Sequence, residues 1–469
     1  QVHLHPSHFS LLSTSTPPLM SLLTRLSRGR APATSALKRA YASVADASGV
    51  KVAAVEGGAP PATASVTVVV KAGSRYETQP GVAHVLKSFA FKSTDAGSAL
   101  KTAREAELYG GVLSAALSRE HLFLTAEFLR GDEAHFLNVL ASVLSSTHFY
   151  PHEYAELVLP TIQAESLSAL ASPTTLALDL AHSTAFRRGL GNSLFASPHS
   201  PVSAADVKSF AQKAFAKSNI AVLGAGLSTD QLAKAVQSAF GSGSATGSSG
   251  LSGGSTTYYG GEQRVPLDVH AGPSAQPTLV IAYGSTGAPS ADLKALPHLL
   301  GGVSALKWTP GSTPLSLAAD KVPGASAKAF LLPYSDASLF GVVVTAPTSE
   351  GVAAVAKDVA AAIKAAGSAK DEEVKRAVAK AKFADATVLE SSAGLIATAG
   401  ASLFSGSIPS PDSSFAALQK VSASSIGKVR ERRLVSADTQ AASDLFKQKP
   451  TVVAVGDLNV LPYADELGL

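Results

Sequence analysis

Histidine and carboxylate side chains are the candidate metal ligands of this sequence, because its 469 residues include no cysteine. The lack of cysteine also excludes disulfides, thiolate-held clusters and cysteine nucleophiles. Two residues are candidates for a zinc site. His84 lies in the segment GVAHVLKSFAFKST of residues 81–94, and Glu165 lies in a segment with helical periodicity. Taken alone, His84 is typical of a core or surface histidine and Glu165 of a helical carboxylate, so their meaning depends on the surrounding pattern.

Residues 81–94 resemble the signature helix of the inverted zincins, the pitrilysin and mitochondrial processing peptidase family, whose motif is HxxEH. In an active member, both histidines lie on one face of the helix and bind zinc, and the glutamate directly before the second histidine holds the water that zinc acidifies. A glutamate from a later helix is the third ligand. In this chain, His84 matches the first histidine, Lys87 the base, Ser88 the second histidine and Glu165 the distal ligand.

The two departures from the motif indicate a peptidase homologue without activity. Serine is a weak zinc ligand, and a lysine at the base position cannot activate water. A charged lysine about 4 Å from Zn²⁺ would also be repelled by roughly 8 kcal/mol at an effective dielectric of about 20. The sequence therefore predicts no catalytic residue, no bound metal and no cofactor, with His84, Lys87, Ser88 and Glu165 as the remains of a degenerate site.

A Gly/Ser tract divides the chain into two parts that resemble each other. Residues 241–257 carry no charge and are predicted to link an N-terminal part, residues 42–240, to a C-terminal part, residues 258–469. Each part begins with a β-branched segment before Gly-Ser and ends with a hydrophobic strand that closes on glycine. We predict an α+β fold of two homologous domains, each a mainly antiparallel sheet covered by helices, as the resemblance also implies.

Periodicity predicts the elements of the first part in more detail. Strands are expected at 63–70, 111–118 and 122–129, and helices at 81–93, 99–109, 132–146 and 151–170, the last with a kink or break at Pro160.

Residues 20–41 have the composition of a mitochondrial presequence. The chain has a formal net charge of +4, and this segment contains five Arg and Lys residues and no acid. The matrix-negative membrane potential draws such a helix inward. Met20, the only methionine, marks the predicted start, so residues 1–19 are predicted not to be native. Cleavage is expected near Ala42. The alternative to a presequence is that residues 20–41 are a merely basic, disordered tail. The rest of the chain is nearly neutral, which argues against a nucleic-acid-binding face.

The resemblance covers residues 42–469 and implies a noncatalytic mitochondrial member of the family. Residues 258–264, 333–341 and 462–467 resemble a core subunit of ubiquinol–cytochrome c reductase, respiratory complex III. Such a subunit would support the complex from the matrix side of the inner membrane, peripheral to it. Its implied partners are core protein 1, cytochrome b, cytochrome c1 and the Rieske protein.

The alternative is the noncatalytic, presequence-binding subunit of the mitochondrial processing peptidase. That subunit has a long Gly-rich loop in its second half. At the corresponding place this chain has residues 300–312, LGGVSALKWTPGS, a short segment with the bulky Trp308. The loop therefore favours the core subunit.

Other motif-like features are not predicted to be functional. Gly224-Ala225-Gly226 lacks the third glycine of a dinucleotide loop, and Gly427-Lys428 lacks the P-loop glycine. Pro151 disfavours the helix that would align His148 with His152, and His298 has no ligand set around it. Residues 371–382 have the mixed charge of a solvated helix face.

Overall fold

The computed structural model describes residues 44–47, 49–55, 62–197, 202–241, 251, 253–267, 275–287, 289–301, 311–390, 392–404, 408, 410–426 and 445–469. Several predicted segments lie outside the described residues: residues 1–19, the presequence at 20–41 with its cleavage site near Ala42, residues 242–250 of the Gly/Ser tract, residues 302–310 with Trp308, and Gly427-Lys428. All described residues belong to one compact unit, Ala40–Leu469.

The sheet of the N-terminal half contains six strands within the described residues. They are β1 (Val44–Ala47), β2 (Val50–Val55), β3 (Thr63–Val70), β4 (Val112–Leu117), β5 (Leu122–Leu129) and β6 (Ile220–Ala225). Their order is β1-β2-β6-β3-β5-β4, and all neighbours are antiparallel except β2 and β6. The central β3 is buried on both faces, as its β-branched sequence TASVTVVV predicts. Its Thr67 hydroxyl is satisfied by the Thr125 hydroxyl of β5 at 2.9 Å.

The sheet of the C-terminal half repeats this topology. Its described strands are β7 (Gly261–Pro266), β8 (Thr278–Thr286), β9 (Ser326–Pro333), β10 (Ala337–Thr345) and β11 (Thr451–Gly456). The order is β7-β11-β8-β10-β9, with β7 and β11 parallel and the other pairs antiparallel. Apart from β1, the strands of the two sheets correspond in order, so that β2-β6-β3-β5-β4 matches β7-β11-β8-β10-β9. In both sheets the strand that comes last in the sequence, β6 or β11, is inserted between two earlier strands. The predicted α+β fold with two homologous, mainly antiparallel halves is confirmed.

Helices flank both sheets. In the N-terminal half they are α1 (Val82–Ser88), α2 (Ala99–Leu108), α3 (Glu133–Ser146), α4 (Pro151–Glu153), α5 (Leu159–Ala171), α6 (Pro173–Phe186), α7 (Ala204–Ala214) and α8 (Thr229–Gly241). In the C-terminal half they are α9 (Ala291–Leu300), α10 (Pro314–Ala319), α11 (Ser349–Ala365), α12 (Asp371–Glu390), α13 (Ser392–Leu403) and α14 (Pro411–Gln419). No helix in the described part of the chain is both long and apolar enough to cross a membrane.

The first predicted helix is shorter than expected, since α1 ends at Ser88 instead of continuing to residue 93. Phe91 has a left-handed backbone with φ of 59°, which stops a helix. The bend brings Ser93 to the carboxylate of Glu153, which accepts hydrogen bonds from the Ser93 amide at 3.2 Å and hydroxyl at 2.6 Å. A tertiary contact therefore overrides the apolar periodicity of residues 89–93.

The irregularity predicted at Pro160 is a widened turn. A π-helical turn, Tyr154–Val158, joins α4 to α5, and the amide of Leu159 donates to the carbonyl of Tyr154. Pro160 has no N–H to donate to the preceding turn, so the chain widens just before it.

Each half supplies one helix to the sheet of the other half. α6 covers the second sheet through its buried alanines at positions 177, 181 and 185, which pack with β8, β10 and β11. α13 covers the first sheet, where Ala399 and Leu403 meet Ala53 and Leu223. Because alanine has a short side chain, α6 can approach the strands closely. Neither sheet would therefore keep both faces covered if the halves were separated.

An ionic group centred on the buried Arg75, which we call the Arg75 cluster, also joins the halves. Arg75 donates to Glu120 at 2.8 Å and, across the halves, to both carboxylate oxygens of Asp336 at 2.6 Å. Glu120 in turn accepts the Ser335 amide at 3.0 Å, and Asp336 accepts the Thr256 amide at 3.0 Å. The cluster thereby holds the turn between β9 and β10 against the N-terminal half.

Candidate functional site

The start of α1 is fixed by a glycine and a buried carboxylate. Gly81 has φ of 88°, and a Cβ there would lie 2.6 Å from the Cβ of Ala196, so the position requires glycine. The carboxylate of Glu77 accepts the amides of Gly81 and Ala83 at 3.2 and 3.1 Å, which satisfies two of the free N–H groups at the helix start. Burial raises the pKa of Glu77 to about 7, against the opposite effect of these hydrogen bonds.

His84 lies buried on α1, and its partners fix its tautomer. The amide of Ala196 donates to Nδ1 at 3.0 Å, so that nitrogen carries no proton. The ring proton is therefore on Nε2, which donates to Oε2 of Glu165 at 2.6 Å. Burial lowers the pKa of His84 and outweighs the hydrogen bond to Glu165, so the ring is neutral. Phe195 packs edge-on against it, with ring centroids 5.8 Å apart.

Glu165 on α5 is paired with Lys87 as well as with His84. Nζ of Lys87 donates to the two carboxylate oxygens of Glu165 at 2.8 and 2.6 Å. Partial burial works to raise the pKa of Glu165, but the hydrogen bonds from Lys87 and His84 hold it below its usual range. The lysine ammonium thus supplies the positive charge that a metal ion would otherwise bring to this pair.

The residues present do not fit the zinc ion that the resemblance implies. Ser88 does not turn towards Glu165, because its hydroxyl donates to the carbonyl of His84 at 3.2 Å, one helical turn back. The nitrogen of His84 that faces Glu165 carries the proton. Lys87 lies within hydrogen-bond distance of the single remaining carboxylate. Nowhere among the described residues do three or more His, Asp or Glu side chains come together to hold a metal.

The structure thus brings together three of the four predicted positions, His84, Lys87 and Glu165, as an ion pair with a neutral histidine, while the Ser88 side chain bonds within α1. Sequence reasoning missed the groups that hold them. Ser166 donates to the carbonyl of Ala196 at 2.7 Å, and the amide of Ala196 bonds His84, so this backbone unit joins α5 to α1. A backbone link leaves no side-chain pattern to detect. Glu77 did leave a signal, an acid four residues before the glycine that starts α1.

The three other histidines considered in the sequence, at positions 148, 152 and 298, are not part of this site. Pro151 begins α4, so His148 precedes the helix, where it lies 3.1 Å from the Asp95 carboxylate. His152 is exposed on the first turn of that helix, so the two rings do not share a helix face, as predicted. His298 is on α9, where burial lowers its pKa.

Comparison with known proteins gives consistent matches over most of the chain. A family model described as Insulinase (Peptidase family M16) matches residues 52–197, and one described as Peptidase M16 inactive domain matches residues 201–381. A protein of Cryptococcus neoformans var. grubii named cytochrome b-c1 complex subunit 2, mitochondrial, is 61% identical over 96% of this chain and 100% of its own length. Proteins of the same name from Yarrowia lipolytica and Homo sapiens are 36% and 28% identical, over 91% and 89% of this chain and 96% and 90% of their own lengths.

Proposed function

This chain belongs to peptidase family M16, the insulinase family, and from that premise we propose that it acts as a catalytically inactive, structural subunit of the mitochondrial cytochrome b-c1 complex, respiratory complex III. The observation that carries the proposal is the 61% identity, over the whole length of the relative, to a protein named subunit 2 of that complex. This subunit corresponds to core protein 2. Its work is to support the assembly that transfers electrons.

The geometry of the degenerate site supports the inactive part of the proposal. In the family, catalysis needs a glutamate base and a second histidine, and here those positions hold Lys87 and Ser88. The Lys87 ammonium is hydrogen-bonded to both carboxylate oxygens of Glu165. We therefore assign to His84, Lys87 and Glu165 a structural role, which is to tie α1 to α5, whereas the Ser88 hydroxyl is satisfied within α1.

We further propose where the subunit sits and what it touches. It is peripheral to the inner membrane on the matrix side, pairs with core protein 1, and contacts cytochrome b, cytochrome c1 and the Rieske protein. Residues 20–41 would be its import presequence, and residues 241–257 would link domains at 42–240 and 258–469. The acid-free composition of residues 20–41 and the mitochondrial names of the relatives support this placement.

The test is genetic replacement. In mitochondria that lack the protein, we expect no assembled complex III on native gels and no antimycin-sensitive ubiquinol oxidation, while matrix presequences are still cleaved. The full chain should restore both. A Lys87→Met, Glu165→Gln variant, which removes both charges of the pair together, should restore the complex as well as the original chain does.

Two results would contradict the proposal. Accumulation of uncleaved precursors with complex III initially intact would favour the presequence-binding subunit of the processing peptidase. A folded Lys87→Met, Glu165→Gln variant that fails to restore the complex would show that the pair does more than tie two helices.

A further inference from the structure

A cavity of about 340 Å³ opens between α9, α10, α11 and α12, in the half of the molecule that does not carry the degenerate site. We call it the α12 cavity. Its volume is in the range of small-molecule sites, about 300 to 1,000 Å³. Much of its lining is apolar and comes from Leu299, Leu300, Ala362, Ala366 and Ala377.

The polar part of the lining is positively charged. Lys370, Arg376 and Lys380 line the cavity, and within the part of the chain that the structure describes none of them forms an ion pair. The one acid in the lining, Glu373, is hydrogen-bonded to the backbone amide of Lys370 at 3.0 Å. His298 adds a half-buried ring. Three exposed cations therefore lie around a partly apolar cavity, with one exposed carboxylate among them.

We propose that the α12 cavity binds an anionic amphiphile, a molecule with a phosphate or carboxylate headgroup and an apolar chain. The planar guanidinium of Arg376 suits two oxygens of such a headgroup at once, and the lysines add charge on either side. The leucine and alanine side chains would take the first part of the chain out of water. A free inorganic anion would leave that apolar lining unused. This inference goes beyond the proposed structural role and does not depend on it.

The experiment uses the purified full chain and calorimetry. The probe is 1-oleoyl-lysophosphatidate below its critical micelle concentration, compared with 1-oleoyl-lysophosphatidylcholine and with inorganic phosphate. We expect lysophosphatidate to bind at least tenfold more tightly than either comparison ligand. The lysophosphatidylcholine arm tests the headgroup charge, and the phosphate arm tests the chain.

Two variants locate the site. Arg376→Glu with Lys380→Glu reverses two cations of the lining and should weaken lysophosphatidate binding at least tenfold. The matched control, Lys375→Glu with Lys382→Glu, makes the same charge change on the same helix outside the lining and should bind within twofold of the original chain. Ala365→Trp, at an exposed residue of the lining, should also weaken binding, because the added ring enters the cavity.

Three outcomes would overturn the proposal. The first is equal binding of lysophosphatidate and lysophosphatidylcholine. The second is an equal loss in the lining variant and its matched control, which would indicate a diffuse charge effect. The third is binding that appears only after residues 302–310 are replaced by a Gly/Ser segment of equal length, which would mean that the chain itself fills the cavity.

Discussion

Lys87 changes the family motif in two ways, because it removes the base and adds a cation beside Glu165. With only the neutral ring of His84 beside it, the charge of the Glu165 carboxylate would be unpaired, which would destabilise the folded state. The Lys87 ammonium, 2.6 Å from the Glu165 carboxylate, compensates it without a metal. The site can therefore persist as part of the fold after its chemistry is lost.

Restoring the motif should restore metal affinity. In Lys87→Glu with Ser88→His, the competing ammonium is gone and two imidazoles four residues apart share one face of α1. We expect zinc to bind at least tenfold more tightly than to the original chain, measured by competition with a chromophoric chelator. Ser88→His alone keeps Lys87 and should gain much less. If adding Glu165→Gln to the double variant leaves the affinity unchanged, Glu165 is not a ligand.

Glu77 should make the stability of the protein depend on pH. Its pKa is raised from 4.5 to about 7 by burial, so the folded state binds the proton more tightly than the unfolded state does. The stabilisation that Glu77 provides is complete below pH 4.5 and is lost as the pH rises through about 7. Over this pH range the free energy of unfolding should fall by up to about 3 kcal/mol through Glu77. In Glu77→Gln, urea unfolding should lose this part of the pH dependence, whereas the exposed Glu107→Gln should keep it.

At the scale of elements, the sequence predicted what depends on local pattern. Alternation identified the pair β4 and β5, and a 3.6-residue period identified α3, which buries Phe136, Leu137, Leu140 and Val143 in the core of its own half. The early end of α1 was missed because it depends on Glu153, far along the chain. The placement of α6 was missed for a related reason. Its contact face is made of alanines, which give a weak amphipathic signal, and its partner strands belong to the other half.

The Arg75 cluster should contribute strongly to stability because Arg75 and Glu120 are buried and the cluster joins distant segments. Arg75→Ala leaves the Glu120 and Asp336 carboxylates without their cation, and we expect a loss of about 3 to 5 kcal/mol in the free energy of unfolding. Arg104→Ala, at an exposed pair with Glu107, should change it by less than about 0.5 kcal/mol. Changing Arg75 to Leu together with Glu120→Gln and Asp336→Asn should cost less than Arg75→Ala alone. A triple variant less stable than the single one would contradict this account.

The composition of the whole chain predicts a mature start near Ala42. The five positive charges of residues 20–41 exceed the net charge of +4, so a single cleavage near Ala42 would remove all of the basic excess and leave a nearly neutral chain. We expect translation from Met20 and a mature N-terminus near Ala42, determined by terminal sequencing of the mitochondrial protein. Peptides from residues 1–19 in that protein would show the assignment to be wrong.

The exchange of helices makes the two halves depend on each other at the scale of the whole molecule. α6 covers apolar strands of the second sheet and α13 covers those of the first, so separating the halves would expose both surfaces to water. The Arg75 cluster adds charged partners that each half would leave unpaired. Covalent continuity through the Gly/Ser tract should therefore be unnecessary once the protein has folded.

A protease site placed within residues 242–250 tests this dependence. After cleavage, we expect the two fragments to elute together in gel filtration and to unfold in a single transition, although at a lower temperature when diluted, because the linker no longer keeps the fragments close. The control is Ala181→Asp, which places a carboxylate where α6 meets the second sheet and should let the cleaved fragments separate. Fragments of the original chain that separate without denaturant would show that the contacts of α6, α13 and the Arg75 cluster are too weak to hold the halves, and that the linker is what keeps them together.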